Sequence, residues 1–521
     1  RRHLCTISRD LAHRAPPPGF PSLIPALTEV LQMSTEPSAA HRLLRLVKTR
    51  IVATVGPASQ SPDILRQLVL EGVDIFRLNF AHGSHDHLAE LVRRIRRISA
   101  ELDRPIGLLG DLSGPKIRLN EVPDGEVYCE EGQLFRFVRS AETALPGELS
   151  STYEALIDDV NAGDRILLAD GTVGMRVETC DPNGHWVECR VFQAGRIRSR
   201  QGINLPGVAL STASVTDKDR EDLAWALQQK LDFVGLSFVR SAADIEELQQ
   251  LITADRSRSR PLVVAKIEKT EAIDDLENIL HVTDAVMVAR GDLGVEADIS
   301  RIPVLQKQII RRCNQLRIPV ITATQMLDSM QTSEIPTRAE ATDVANAILD
   351  GTDAVMLSGE TAIGERPVQC VRMMERIARE AETLVQTITS DNTEKEPRRA
   401  RPITEAVSRA AAVAAESLNA GLIVAATVTG RTALALSRMR TRVPIVACTD
   451  QEEISRRMCL YWGVTSRLES TAQQSADQLL QSVVAWAKKE QVVEAGSAVI
   501  LVGHAEWLAE SHDLMLVHIV K

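Results

Sequence analysis

The chain has 521 residues, too many for a single core, so roughly two to four domains are expected. Hydrophobic residues make up 44% and charged residues 25%, and the formal net charge of −10 comes without a basic stripe interleaved with aromatics, which argues against nucleic-acid binding. No apolar run reaches the ~18 to 20 residues that a membrane helix needs, and the eight cysteines are scattered without a C-x-x-C pair, so they read as small buried hydrophobes in a reducing, cytoplasmic setting rather than as a disulfide or zinc framework.

Residues 1–45 begin with Arg and carry Pro16-Pro17-Pro18-Gly19 among several arginines and histidines. They read as a disordered N-terminal extension with Met33 as the expected natural start; an Arg-rich transit peptide is the alternative. From Thr49 onward one pattern repeats: a short apolar run, a polar or glycine-bearing end, then an amphipathic helix. The runs are Ile51–Val55, Ile75–Phe80, Ile106–Gly110, Phe233–Phe238, Leu262–Ile267, Ala285–Ala289, Val320–Thr324 and Ala354–Leu357. Strands alternating with helices predict a parallel sheet, and eight units suit a closed β/α barrel over 46–113 and 212–387. An open doubly wound sheet is the runner-up.

Between residues 114 and 211 the texture changes to alternating strands with turn signals: Val127–Tyr128, Leu134–Val138, Arg165–Leu168, Met175–Glu178 and Trp186–Phe192, with one short helical piece near Tyr153–Val160. This predicts a small inserted β-barrel domain at the barrel rim, able to act as a lid that expels water; a decorative insertion is the alternative. A helix from Pro367 to Thr387 then leads to a polar boundary at Ser390–Pro397. Residues 388–521 alternate helix and strand, as in Ile403–Asn419, Leu422–Thr427, Ala433–Ser437, Ile445–Cys448, Ala476–Lys488, Ala498–Val502 and Leu514–Ile519, which predicts a C-terminal α/β domain.

In a β/α barrel the active site lies at the carboxyl ends of the strands. There the polar residues gather: Thr54, Arg77, Asn79, Asp111, Lys266, Glu268, Asp292, Thr324, Ser358 and Glu360. Val263-Val264-Ala265-Lys266-Ile267-Glu268 and Val286–Leu293 are β-branched runs that end in charge, with a helical stretch from Ala272 to His281 as the crossover. Parallel neighbours would present Lys266, Glu268 and Asp292 at one rim. Two carboxylates and an ammonium suit a hard divalent cation beside a phosphoryl group. A surface salt-bridge cluster is the plainer reading of any one of them.

These residues also carry a resemblance to the pyruvate kinase family over roughly residues 48 to 521. It rests on Thr54-Val55-Gly56-Pro57-Ala58-Ser59, Phe76-Arg77-Leu78-Asn79-Phe80, Gly114-Pro115-Lys116-Ile117-Arg118 and Gly202-Ile203-Asn204-Leu205-Pro206-Gly207. Lys266-Ile267-Glu268, Met287–Glu296, Ala323-Thr324-Gln325-Met326-Leu327 and Met356-Leu357-Ser358-Gly359-Glu360-Thr361 complete it. The resemblance implies phosphoryl transfer from phosphoenolpyruvate to ADP, giving pyruvate and ATP in glycolysis. It implies Glu268 and Asp292 as ligands of Mg²⁺ (or Mn²⁺), Lys266 beside the transferring group and Arg77 on its phosphate. Gly291, Asp292 and Thr324 would hold the substrate carboxylate, and Thr324, Ser358 and Glu360 would align the water that protonates the enolate. Thr54, Pro57, Asn79, His82 and Arg118 match nucleotide positions, although His82 alone would be an ordinary loop histidine. A homotetramer and a C-terminal regulatory domain are implied as well.

Departures from the family pattern carry their own expectations. Potassium-dependent members bind a monovalent cation near Asn79 and Asp111 with further Ser and Thr ligands; those positions are Ala81 and Leu112 here, and Lys116 stands where such members have Glu. The ammonium of Lys116 is expected to substitute for potassium, unless it merely points to solvent in the hinge. Gln201 replaces a nucleotide-contacting lysine. Thr427, Thr429, Gly430, Arg431 and Thr432 form a candidate phosphate-binding turn, about as readable as a plain strand-turn-helix. The acidic stretch Gly503–Ser511 suits a fructose bisphosphate poorly, so the expected effector is a sugar monophosphate or nucleotide, or none. The rivals are a Mg²⁺-dependent aldol-type lyase and a non-catalytic paralogue acting as a ligand-binding or scaffold subunit.

Overall fold

Eight parallel strands close on themselves in chain order: β1 (Arg50–Thr54), β2 (Ile75–Asn79), β3 (Gly107–Asp111), β4 (Phe233–Leu236), β5 (Leu262–Ile267), β6 (Ala285–Ala289), β7 (Val320–Ala323) and β8 (Ala354–Leu357), with β8 pairing back onto β1. The computed structural model describes residues 47–139, 146–256, 260–385, 402–472, 475–504 and 513–521. The expectations for residues 1–45, for the boundary at Ser390–Pro397 and for residues 505–511 of the acidic stretch lie outside these residues.

The period of two along each strand sorts its side chains. Phe76, Leu78, Leu108, Ala265 and Ile267 point outward and pack beneath the helices. Val52, Ile75, Leu109, Phe233, Val264, Met287, Ile321 and Met356 point inward. Counting on by twos from these inward residues reaches Thr54, Arg77, Asn79, Asp111, Ser237, Lys266, Glu268 and Ser358, so the same alternation that fills the barrel floor aims the polar strand ends into its mouth.

Four strands, β1, β2, β4 and β7, end before the last residue of their apolar runs, and at two of them the backbone itself turns. Thr324 (φ 67°) and Phe238 (φ 56°) both take left-handed backbone, which breaks the extended chain. The crossover after β5 is likewise two short helices, Thr270–Asp274 and Leu276–Val282, rather than one. Asp275 leaves helical geometry between them, its carboxylate accepting from the Ala242 N–H (2.8 Å) and the Asn278 amide (2.6 Å).

The strands inserted between β3 and β4 form one six-stranded sheet and one two-stranded sheet around a shared apolar core that includes Phe135, Phe137, Ile166, Met175 and Val191. Short strands at Glu148–Leu149, Gly195–Arg198 and Ile203–Asn204 add to those read from sequence. The chain enters this module through Gly114 (φ 63°), where an added Cβ would lie 3.0 Å from the Phe238 ring, so backbone and packing both require glycine. It leaves past Arg240, whose guanidinium donates to Leu210 O (2.8 Å), Thr212 O (3.0 Å) and Ser214 Oγ (2.9 Å).

The C-terminal sheet has five strands in the order Val464–Leu468, Ile445–Thr449, Leu422–Ala426, Ala498–His504, Asp513–Ile519, the last antiparallel. Strand Val464–Leu468 and helix Glu452–Arg457 were not evident in the sequence, since Arg467 and Arg456 interrupt their apolar patterns. The barrel floor and one face of this unit share a continuous core in which Leu434, Ile454, Met458 and Tyr461 join Val52 and Phe233. Buried aspartates at the amino ends of strands tie the two together: Asp353 meets Arg438 (2.9 Å) and Arg440 (3.0 Å), and Asp232 meets Arg456 (2.7 Å). Among the described residues no helix is long and apolar enough to cross a membrane.

Candidate active site

Lys266 is the hub of the barrel mouth. Its Nζ donates to Ser237 Oγ (2.8 Å) and lies 3.0 Å from Glu268 Oε1 and 3.3 Å from Asp111 Oδ1. Burial alone would lower its pKa, but Asp111 and Glu268 outweigh that and hold it above the usual lysine value. Asp111 is opposed by burial and nevertheless sits below the usual carboxylate range, because Lys266 and Arg77 both face it. Arg77 Nε meets Asp111 Oδ2 at 2.6 Å and its Nη1 donates to Thr54 Oγ1 at 3.1 Å, so the plane of the guanidinium is fixed from two strands.

Glu268 is 1% exposed, accepts the Phe238 N–H at 2.8 Å, and is raised above its usual value by burial, with the charge of Asp292 adding to the rise against Lys266. Among the described residues no three His, Cys, Asp or Glu side chains converge as metal ligands. Glu268 and Asp292 nonetheless fit a divalent cation: they are neighbouring oxygen donors whose mutual repulsion a cation would relieve, with the remaining ligands drawn from water or a bound anion.

Asp292 belongs to the short helix Arg290–Glu296 that follows β6 directly. The Gly291 N–H donates to Thr324 Oγ1 at 2.7 Å, and Arg290 Nη2 donates to Thr324 O at 2.8 Å. Two adjacent residues of this helix thus grip the one left-handed threonine after β7. A Cβ at Gly291 would make only ordinary contact with Thr324 Oγ1, at 3.5 Å, so protein packing does not demand glycine there.

Several expected residues sit differently from expectation. Glu360 is 1% exposed, and its carboxylate accepts the N–H groups of Ser358 (2.7 Å) and Leu327 (3.1 Å). It staples the loops after β7 and β8 and cannot face a water directly; Ser358 does hold the inward position. Thr54 is buried beneath Arg77, donating to Leu357 O at 3.0 Å, and so holds the arginine rather than opening to a nucleotide. Lys116 forms its ion pair with Asp292, 3.5 Å away, while Asp111 is taken by Arg77 and Lys266; the hinge ammonium therefore stands at the Asp292 side of the mouth, not at the Asn79–Asp111 corner. Pro57 and His82 lie exposed in the loops after β1 and β2, and Arg118, at the base of the inserted module, puts its Nη1 on Arg200 O (3.1 Å). Gln201 spends its side chain within that module, on Arg198 N at 2.7 Å. In the C-terminal unit, Gly430 (φ 82°) donates to Thr427 Oγ1 at 2.9 Å ahead of helix Arg431–Ser437, which leaves Thr429, Arg431 and Thr432 at the turn's outer side.

Ser237, Gly235 and Arg290 also shape the site, without a motif in the sequence that marks them as site residues. Gly235 pairs in register with Asp111, and a Cβ there would lie 3.1 Å from Asp111 Oδ1 and 3.7 Å from Lys266 Cδ. Its bare backbone is what lets Asp111 and Lys266 meet across β4. An isolated glycine inside a strand run was the available signal. A cavity of about 790 Å³ opens on the outer side of helix Arg290–Glu296, but Lys266, Glu268, Asp292 and Arg77 do not line it.

Comparison with known proteins agrees with this geometry. Residues 46–371 match the pyruvate kinase barrel domain and residues 405–518 match the pyruvate kinase alpha/beta domain. Pyruvate kinase 2 of Synechocystis is 45% identical over 477 residues, covering 91% of this chain and 79% of that protein. Pyruvate kinase of Geobacillus stearothermophilus is 40% identical over 477 residues, covering 91% and 80%. The crystal structure of a pyruvate kinase from Cryptosporidium parvum superposes with a TM-score of 0.85 at 33% identity, covering 92% of this chain and 97% of that one.

Proposed function

The chain belongs to the pyruvate kinase family of phosphotransferases, and from that premise we propose that it transfers the phosphoryl group of phosphoenolpyruvate to ADP, giving pyruvate and ATP. The observation that carries the reading is Lys266, an ammonium buried among Ser237, Glu268 and Asp111 and held charged by the last two. A fixed positive charge in a shielded mouth suits the charge that spreads over the equatorial oxygens of a phosphoryl group in transit.

The other residues divide the work. Arg77, its plane set by Asp111 and Thr54, binds the phosphate through its fork. The backbone N–H groups of Gly291 and Asp292, with Thr324, receive the substrate carboxylate. A divalent cation, Mg²⁺ or Mn²⁺, held by Glu268 and Asp292 would supply charge neutralisation at the substrate oxygens. Pro57, Asn79, His82 and Arg118 flank the nucleotide. The bond from the enol oxygen to phosphorus breaks as the bond from ADP forms, and the enolate carbon then takes a proton from a water held by Thr324 and Ser358, with Glu360 positioning both loops.

Potassium is not required in this reading, because Ala81 and Leu112 offer no side-chain oxygen at the Asn79–Asp111 corner and Asp111 already faces Arg77 and Lys266; Lys116, paired with Asp292, stands elsewhere in the mouth. Family likeness supports a cytoplasmic homotetramer and a small phosphorylated effector at the turn of Thr427, Thr429, Gly430, Arg431 and Thr432. A coupled assay for pyruvate formed from phosphoenolpyruvate and ADP tests the central reading. Sustained turnover is expected; no pyruvate formation would refute it, and cleavage of an aldol substrate instead would favour a lyase.

A further inference from the structure

The helix that carries Gly291 and Asp292 is poorly anchored by apolar packing. Its buried Leu293 clusters with Ile302 and Leu305, with the partly buried Ile273 and Ala297 packed against them, in a small core of its own. Seven residues of helix hold their place by packing rather than by propensity, so polar ties must decide where this one sits. At its beginning the ties within the barrel are Gly291 and Arg290 on Thr324 and Arg290 on Asp343, and Lys116, in the hinge of the inserted module, adds an ion pair to Asp292 at 3.5 Å.

At its end the tie is of another kind. Glu296 is 4% exposed, and a single oxygen, Oε1, accepts from Lys269 Nζ at 2.7 Å and from Asn204 Nδ2 at 3.0 Å. Oε2 has no hydrogen-bond partner. Lys269 is the residue directly after Glu268, and Asn204 lies in the inserted module, on strand Ile203–Asn204. One buried carboxylate therefore joins three bodies: the end of β5, the helix bearing Asp292, and the module that would close over substrate. A buried ion pair is weak evidence of stabilisation and better evidence of a device that fixes register.

We propose that Asn204, Glu296 and Lys269 form a latch through which the seating of the inserted module sets the position of the Arg290–Glu296 helix, and with it the Gly291 and Asp292 groups that receive substrate and metal. These are positioning residues for the reaction proposed above, and the inference rests on that reading. When the module is seated, Asn204 shares Oε1 with Lys269 and the helix end is held from both sides. When it swings away, Glu296 keeps only Lys269, and the helix is free to shift about its Thr324 anchor.

The test uses the full chain carrying Asn204→Ala, and separately the paired replacement Lys269→Met with Glu296→Leu, which removes both charges together and so leaves none stranded. Expected for both is a rise of about tenfold or more in KM for phosphoenolpyruvate with a smaller change in kcat, the scale that small misplacements of binding groups produce. Faster amide exchange across residues 290–296 and a Tm near that of the parent protein should accompany it. Unchanged KM and unchanged exchange in a folded Asn204→Ala protein would overturn the latch. So would a loss of activity that tracks a lower Tm at constant KM, the mark of a merely structural contact. The parent protein separates the two readings: if it makes no pyruvate the reaction assignment fails, whereas a parent that turns over beside an indifferent Asn204→Ala removes the latch alone.

Discussion

Lys266 Nζ stands 3.0 Å from Glu268 Oε1, two residues along the same chain. The contact follows from strand alternation, which turns both side chains into the barrel mouth, and it places the proposed phosphoryl-stabilising charge against a proposed metal ligand. Lys266→Met should lower kcat by about 10³-fold or more, on the scale of losing one preorganised electrostatic group, with KM for phosphoenolpyruvate changed far less. Steady-state kinetics on protein shown folded by its Tm would check this; retention of a tenth of the parent kcat would contradict it.

Gly235→Ala reaches the same pair from behind. A Cβ placed 3.1 Å from Asp111 Oδ1 forces that carboxylate to shift by a few tenths of an ångström. Asp111 fixes both Lys266 and Arg77, so kcat/KM should fall by about ten- to a hundredfold while Tm drops only a few degrees. An active Gly235→Ala protein with parental kinetics would show that the Asp111 to Lys266 contact is dispensable.

With a tetraalkylammonium salt as the sole monovalent cation, activity should stay close to that in potassium, since Ala81 and Leu112 bring no oxygen to the Asn79–Asp111 corner and Asp111 already faces two cationic side chains, Arg77 and Lys266. Strict potassium dependence of the parent protein would overturn the expectation.

Lys48, at the junction of the barrel and the C-terminal unit, has its Nζ 2.5 Å from Thr441 O and lies over the Trp462 ring at 5.2 Å. Burial pushes its pKa down to about 8, although Glu382 and Glu416 oppose this. The unfolded chain, with a lysine pKa near ~10.4, then binds more protons than the folded one between these values. Stability contributed by this group therefore rises as pH goes from about 8 towards ~10.4, and its burial cost is fully present below about pH 8. The stability of the parent protein relative to Lys48→Met should climb over that interval by up to about 3 kcal/mol. Denaturant titrations at several pH values would read it, and a flat difference would refute it.

Much of the site was legible before any coordinates. The eight apolar runs are buried on both faces and give way to polar residues or glycine because parallel barrel strands must leave the core at their carboxyl ends, so Arg77, Asp111, Lys266 and Glu268 could be placed at one rim from their positions at those ends. Asp292, Gly291 and Thr324 were legible as motif residues, but not the hydrogen bond from Gly291 to Thr324 nor the left-handed backbone behind it. Those depend on how two adjacent loops meet.

The sequence by itself determined which residues alternate inward and where each strand turns to solvent, since periodicity is a local property of the chain. Only the tertiary structure decided who partners whom: that Lys116 meets Asp292, that Glu360 is spent on backbone amides, and that Asn204 and Lys269 share one oxygen of Glu296. Charged side chains choose partners by proximity and by the cost of burial without one, and proximity between segments far apart in sequence exists only once the barrel has closed.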